Sequence, residues 1–141
     1  MVGFLVCIAN IAYATTLQAP TTGENEGQIT DIQNTFYQTQ PSTEILKAYL
    51  AQEVSKYGNP KDYFTLENLI QCESSWNVNA QSNKSSAHGL AQFLIGTWNG
   101  YCGGDFYNPF DQIHCLVIAW TARHYNWWDS SRDCWGKYLS N

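Results

Sequence analysis

The feature that most constrains the fold is a predicted helix whose middle is apolar on every side. It runs from Pro109 to about His124, and between Cys115 and Ala122 its one polar residue is Thr121. Proline is favoured in the first turn of a helix, and a helix that is apolar all round is buried on most sides. We therefore expect this helix to lie at the centre of the domain, with the other elements packed around it.

Shorter helices are predicted on either side of this segment. The first runs from Thr43 to Tyr57, after a Pro-Ser start signal and before a Gly-Asn-Pro stop. The second begins near Thr65, a plausible N-cap, and ends near Ser75, and a short final helix covers residues 132–139. The only strand signal is a possible small hairpin in the loop after the second helix. The expected fold is all-α, with this hairpin as its one exception.

The 141 residues allow one domain. Residues 1–14 form a short apolar run that ends in Ala-Tyr-Ala, which is typical of a signal peptide cleaved after Ala14. The run is shorter than the ~20 apolar residues of a membrane-spanning helix. Residues 15–42 are polar and predict a flexible tether, and residues 43–141 form the domain. We expect an exported monomer, periplasmic or extracellular, with no stable membrane span.

An acidic residue continues the apolar stripe of the second helix. Leu66, Leu69 and Ile70 share one face, and Glu73 occupies the next position on it. Partial burial disfavours the ionised form of a carboxyl group and raises its pKa. A carboxylic acid that stays protonated near neutral pH can supply the proton that glycosidic bond cleavage requires. The alternative is a Glu at a frayed helix end that turns to solvent.

The residues that follow this acid carry a family resemblance. In order and spacing they comprise Glu73-Ser74 at a helix end, a polar loop with Ser82 nine positions after the acid, Gly89-Leu90-x-Gln92-Phe93, and Thr97-Trp98. This arrangement resembles the SLT-type lytic transglycosylases of the lysozyme-like superfamily. Ala91 stands where the family usually has Met, and the loop is about one residue longer than in its commonest members.

The resemblance implies a lysozyme-like domain around the buried central helix, with Glu73 as the catalytic acid. It implies that Ser82 contacts an N-acetyl group and that Gln92 lies in the groove near the acid. For Gln92 the alternative is a side chain that caps local backbone. Tyr125 is the best match to a family tyrosine whose hydroxyl reaches the acid. Ser74 and Phe93 complete the candidate substrate-binding residues, although they also fit a helix-end and a core position.

Four cysteines remain after the predicted signal peptide. An even number in a small exported domain suggests two disulfides, and sequence alone allows three pairings. The resemblance to small exported relatives favours Cys72–Cys134, which leaves Cys102–Cys115. Free buried thiols are the alternative. The chain has no C-x-x-C and no histidines at ligand spacing, so we expect neither a metal nor a cofactor.

The resemblance implies cleavage of the β-1,4 bond between N-acetylmuramic acid and N-acetylglucosamine in peptidoglycan, with formation of a 1,6-anhydro end. A muramidase is the first alternative, and it would need a second carboxylate such as Asp105, Asp111 or Asp129, of which Asp111 also fits a first-turn helix acid. A non-catalytic wall-binding module is the second. The net charge of −5 and the lack of a basic patch argue against nucleic acid. The expected partners are glycan strands, with recruitment to a wall-spanning apparatus left open.

Overall fold

The computed structural model describes residues 40–139, and it begins with the helix that the sequence predicts. Helix α1 covers Thr43–Tyr57, and the Ser42 side chain accepts a hydrogen bond from the Ile45 amide at its start. Gly58 ends it. The predicted signal peptide and residues 15–39 of the predicted tether lie outside the described residues.

Helix α2 covers Tyr63–Ser74, directly after a 3-10 turn at Pro60–Asp62. The prediction that Thr65 caps this helix is wrong, since Thr65 lies inside it and is fully buried. Its hydroxyl donates a hydrogen bond to the Tyr138 carbonyl near the end of the described chain. The 3-10 turn is itself capped by Asn59, and it leads into α2 without a separate cap.

The predicted central helix is confirmed as the buried element. Helix α3 covers Ile95–Tyr101, and helix α4 covers Pro109–Thr121 with the Asn108 side chain as its cap. On α4, Ile113, Leu116 and Ala119 have no exposed surface. Helix α1 packs along α4, and this pair forms the centre of the hydrophobic core.

Helix α4 ends three residues earlier than expected, and the exposed Ala122 is its C-cap. Arg123 has a φ of 67°. Its amide donates to the Trp120 carbonyl and the His124 amide donates to the Ala119 carbonyl, which is the Schellman pattern of helix termination. Glycine usually occupies the left-handed position, so the arginine gave no stop signal in the sequence.

The C-terminal part packs against α2. A 3-10 segment at Tyr125–Ser131 leads into helix α5, Arg132–Trp135, and a 3-10 turn at Gly136–Tyr138 follows. The single helix predicted for residues 132–139 is therefore a short α-helix continued by a 3-10 turn.

Within residues 40–139 the fold is all-α. The predicted hairpin is reduced to two isolated bridges, Gln81 with His88 and His88 with Phe93. Phe93 and Trp98 are buried, whereas Leu94, which belongs to the same apolar run in the sequence, is 46% exposed. No helix in this range combines the length and apolar character needed to cross a membrane.

Candidate active site

The last turn of α2 presents Glu73 at the edge of the core. Leu66, Leu69 and Ile70 are buried on the same face, whereas Glu73 is half-buried. Immediately after the helix, Ser75 and Trp76 both have positive φ values, 52° and 64°. Two successive non-glycine residues in this region are costly, and such strain clusters at functional sites. The chain thus leaves the helix abruptly after the acid.

Burial raises the pKa of the Glu73 carboxyl group, because the ionised form loses hydration. A hydrogen bond from the Ser131 hydroxyl acts in the opposite direction and is the smaller effect. The net result favours the protonated acid at a higher pH than for an exposed glutamate. This is the protonation state that a general acid needs.

Ser131 is the centre of a small network around the acid. Its hydroxyl donates to Oε1 of Glu73 and also lies 3.1 Å from the Trp128 carbonyl, while Nε1 of Trp135 donates to Oγ of Ser131 at 3.0 Å. A hydroxyl has one hydrogen and can accept as well as donate. Ser131 can therefore donate to an ionised Glu73, or accept from a protonated Glu73 while it donates to Trp128.

A disulfide brings this network to the acid. Cys72 precedes Glu73 and is bonded to Cys134, with their Cα atoms 6.1 Å apart. Cys134 lies on the helical turn that follows Ser131 and precedes the buried Trp135. The second disulfide joins Cys102 to Cys115. These are the pairings that the family resemblance favours.

An open cleft shares Trp128 with this network, whereas Glu73 and Ser131 themselves are not among the residues that line it. The cleft is lined by Gln92, Phe93, Leu94, Thr97, Trp127 and Trp128. Trp128 is buried and donates through Nε1 to the Ala91 carbonyl at 2.9 Å. Trp127 is held in place by His124, whose ring stacks on it at 4.6 Å. Amphipathic aromatic rings of this kind can contact the apolar face of a sugar.

The turn at Gly89–Gln92 positions two of the predicted site residues. Gly89 and Gln92 have φ values of 75° and 51°. Nε2 of Gln92 donates to the carbonyls of Ala80 and Gly89, at 3.1 and 2.9 Å. Gln92 thus caps local backbone, which was the alternative interpretation, and its side chain is also one of those that line the cleft. Phe93 lines the same cleft from a buried position.

Ser74, Ser82 and Tyr125 are not among the residues that line the cleft. The Ser74 hydroxyl donates to the Ile70 carbonyl of its own helix, and Oγ of Ser82 accepts from the Lys84 amide. The Tyr125 ring packs against Trp120 and is 38% exposed. The hydroxyl that reaches the acid here belongs to Ser131, six residues after Tyr125.

Three aspartates could have supplied a second carboxylate, and each has a local contact. Asp111 accepts from the Asp105 amide at 2.8 Å, and Asp105 accepts from the Tyr107 amide at 2.9 Å. Asp129 lies 3.3 Å from Arg132 in an exposed pair. In the described part of the chain, no group of three or more His, Cys, Asp or Glu side chains is arranged to hold a metal ion.

Sequence reasoning missed Ser131 and the connecting role of Trp128. Ser131 lies within the polar run at residues 129–133, and no pattern there distinguishes it from Ser130. Only the tertiary contact between α5 and α2 reveals it. A comparison of the chain with family models, curated proteins and solved structures found no match in any of the three.

Proposed function

We propose that this protein is a peptidoglycan lytic transglycosylase that cleaves the bond between N-acetylmuramic acid and N-acetylglucosamine. The observation that carries the proposal is a half-buried carboxyl group with a raised pKa, hydrogen-bonded to a hydroxyl whose second partner, Trp128, lines an aromatic cleft. A raised pKa coupled to a specific partner beside a cleft is typical of catalytic acids. The resemblance of the Glu-Ser and Gly-Leu-x-Gln segments supports the choice of substrate.

In the first step, the protonated Glu73 donates its proton to the bridging oxygen, and the bond from that oxygen to the muramic acid C1 breaks. Positive charge develops at C1, and the acetamido oxygen of the same sugar stabilises it. Ser131 then rotates its O–H toward the carboxylate that has formed. Hydrogen bonds to charged groups contribute about 1.5–3 kcal/mol, so this hydroxyl favours proton transfer.

In the second step, the Glu73 carboxylate removes the proton from the C6 hydroxyl of the same sugar. O6 forms a bond to C1, and the product is a 1,6-anhydro ring. Glu73 regains its proton, and the Ser131 hydroxyl turns back to the Trp128 carbonyl. No water is consumed, and one carboxyl group performs both proton transfers.

The three candidate aspartates are each engaged in a local contact. This favours a mechanism with a single acid over the two-carboxylate mechanism of a hydrolase. Inverting and retaining hydrolases need two carboxyl groups about 6.5–9.5 Å or 5–5.5 Å apart. Glu73 has a serine as its hydrogen-bond partner. A muramidase nevertheless remains the alternative that the experiment must distinguish, since it would clear the same cell wall.

The test is digestion of purified sacculi with the protein, followed by mass spectrometry of the released fragments. Anhydro ends, which are lighter than reducing ends by one water, are the expected result. Glu73→Gln should abolish release. Glu67→Gln, on the same helix as Glu73, alters only an ion pair with Lys47 of α1 and should not. Reducing ends would identify a hydrolase, and undiminished release by Glu73→Gln would exclude Glu73 as the acid.

A further inference from the structure

A second pocket borders the start of α3, as the first cleft does. It has a volume of about 170 Å³ and is lined by Gln81, Ser86, His88, Ile95, Phe106 and Tyr107. We call it the Tyr107 pocket. The proposed reaction uses none of these residues. Leu94 lines the first cleft and Ile95 lines this pocket, so consecutive residues of one turn border both.

Three rings form the aromatic wall of the Tyr107 pocket. The His88 ring lies 5.5 Å from Phe106 and 4.9 Å from Tyr107, measured between centroids. Phe106 is buried against Trp98, whereas Tyr107 is 68% exposed. Tyr107 therefore contributes little to the core, and its ring is presented to solvent.

The turn that carries Tyr107 is firmly fixed despite this exposure. The Asp111 carboxylate accepts from the Asp105 amide, and the Asp105 carboxylate accepts from the Tyr107 amide. The Asn108 amide donates to the Asp105 carbonyl at 3.0 Å. The disulfide from Cys102 to α4 anchors the start of the same segment. The backbone that carries this exposed ring is thus held in one place by hydrogen bonds and by the disulfide.

Gln112 joins the two walls of the pocket. Its side chain is fully buried, and it accepts from the Leu90 amide at 2.7 Å and donates to the Phe106 carbonyl at 2.6 Å. One wall includes His88, two residues before Leu90, and the other includes Phe106 and Tyr107. Because a single buried amide bonds to both segments, the pocket is formed before any ligand arrives, which lowers the entropic cost of binding.

The chemistry of the lining indicates a neutral ligand with many hydroxyl groups. None of the six lining residues is Lys, Arg, Asp or Glu. The amide of Gln81, the hydroxyl of Ser86 and the imidazole of His88 can all donate and accept hydrogen bonds, and Tyr107 offers an apolar face with a polar edge. Hydroxyl and acetamido groups on a flat ring satisfy both requirements.

We propose that the Tyr107 pocket is a second saccharide-binding site, which takes an N-acetylated sugar unit of the same glycan whose cleavage is proposed above. The inference rests on that proposed function for the identity of the polymer. A strand bound in the first cleft passes over the turn at Leu94 and Ile95 and places a further sugar against Tyr107.

The test measures binding of a β-1,4-linked N-acetylglucosamine tetramer to the Glu73→Gln protein by calorimetry, so that no cleavage interferes. Adding Tyr107→Ala should weaken binding about tenfold, which corresponds to 1.4 kcal/mol. Tyr107→Phe keeps the ring and should bind within about threefold of the parent, a difference below 1 kcal/mol. Phe64→Ala is the matched control, because Phe64 is 67% exposed and does not line this pocket.

Equal affinity of the Tyr107→Ala and parent proteins would overturn the inference, and so would Tyr107-dependent binding of a free stem tetrapeptide in place of the tetramer. The two proposals fail separately. If the unmutated protein produces anhydro ends but tetramer binding does not depend on Tyr107, only the proposal of the second site is refuted. If binding depends on Tyr107 but the protein does not cleave sacculi, the proposed catalytic function is refuted and the protein is a saccharide-binding protein.

Discussion

Ser131 donates a hydrogen bond to the Glu73 carboxylate from a position 58 residues further along the chain. Because Trp135 donates to the same hydroxyl oxygen, the serine is fixed in place while its hydrogen can still change direction. The pair therefore provides a partner for each protonation state of the acid.

Ser131→Ala should change the pH profile as well as the rate. The Ser131 hydrogen bond lowers the pKa of Glu73, so its removal raises that pKa and moves the alkaline limb of kcat/KM to higher pH. The rate should fall about tenfold to a hundredfold, since a hydrogen bond to a charged group contributes about 1.5–3 kcal/mol. Steady-state kinetics across pH measures both effects. Ser131→Thr should restore them, and an unshifted limb in Ser131→Ala would contradict the role of the hydroxyl.

Glu73→Gln should stabilise the fold more at neutral pH than in acid. Burial raises the pKa of Glu73 above its ordinary value of 4.5, so the folded state holds this proton at a pH where the unfolded state has released it. The stability that Glu73 contributes is therefore lost as the pH rises from about its ordinary pKa through its pKa in the folded state. Urea unfolding of both proteins gives the difference, in which the other groups cancel. A pH-independent difference would refute the raised pKa.

Gly89→Ala should destabilise the protein by about 2–5 kcal/mol, from left-handed strain and overpacking. Gly89 has a φ of 75°, and an added Cβ would overlap the buried amide of Gln112. Gly100→Ala is the matched control, because it lies in α3 with nothing within 4 Å of the added carbon. It should stabilise by about 0.5–1 kcal/mol. Denaturant midpoints compare the two, and a neutral Gly89→Ala would contradict the close packing.

His114→Ala should reduce stability by about 1–3 kcal/mol, the cost of leaving the buried Glu53 carboxyl group without this hydrogen-bond partner. Glu53 is 5% exposed on α1, and its carboxylate lies 2.6 Å from Nδ1 of His114 on α4. Glu67→Ala removes a surface pair with Lys47 and should cost less than about 1 kcal/mol. Urea unfolding at one pH measures both. Equal losses would show that the pair of Glu53 and His114 does not stabilise the contact between α1 and α4.

Features encoded by neighbouring residues were predictable from the sequence. The bounds of α1 follow from its cap and its Gly-Asn-Pro stop, and the position of Glu73 on the face of Leu69 and Ile70 follows from helical periodicity. The burial of α4 follows from the unbroken apolar stretch at residues 115–120 in its second half. Each of these depends on residues within a few turns of one another.

Features that depend on tertiary contacts were not predictable. Thr65 resembles an N-cap, but its hydroxyl bonds to Tyr138, which lies 73 residues away. Leu94 belongs to an apolar run, yet it occupies the N-cap position of α3 at the exposed wall of the cleft. The hydroxyl beside the acid came from Ser131, and the sequence had suggested Tyr125, because sequence spacing does not reveal which C-terminal side chain meets α2.

The bond between Cys72 and Cys134 covalently links the two segments that carry Glu73 and Ser131. Ser131 and Trp135 lie within three residues of Cys134, and Glu73 follows Cys72 directly. A chain whose thiols are still reduced lacks the covalent link that keeps these two segments together. The redox state of this single bond therefore governs how firmly the Glu73 carboxyl group and the Ser131 hydroxyl are kept within one site.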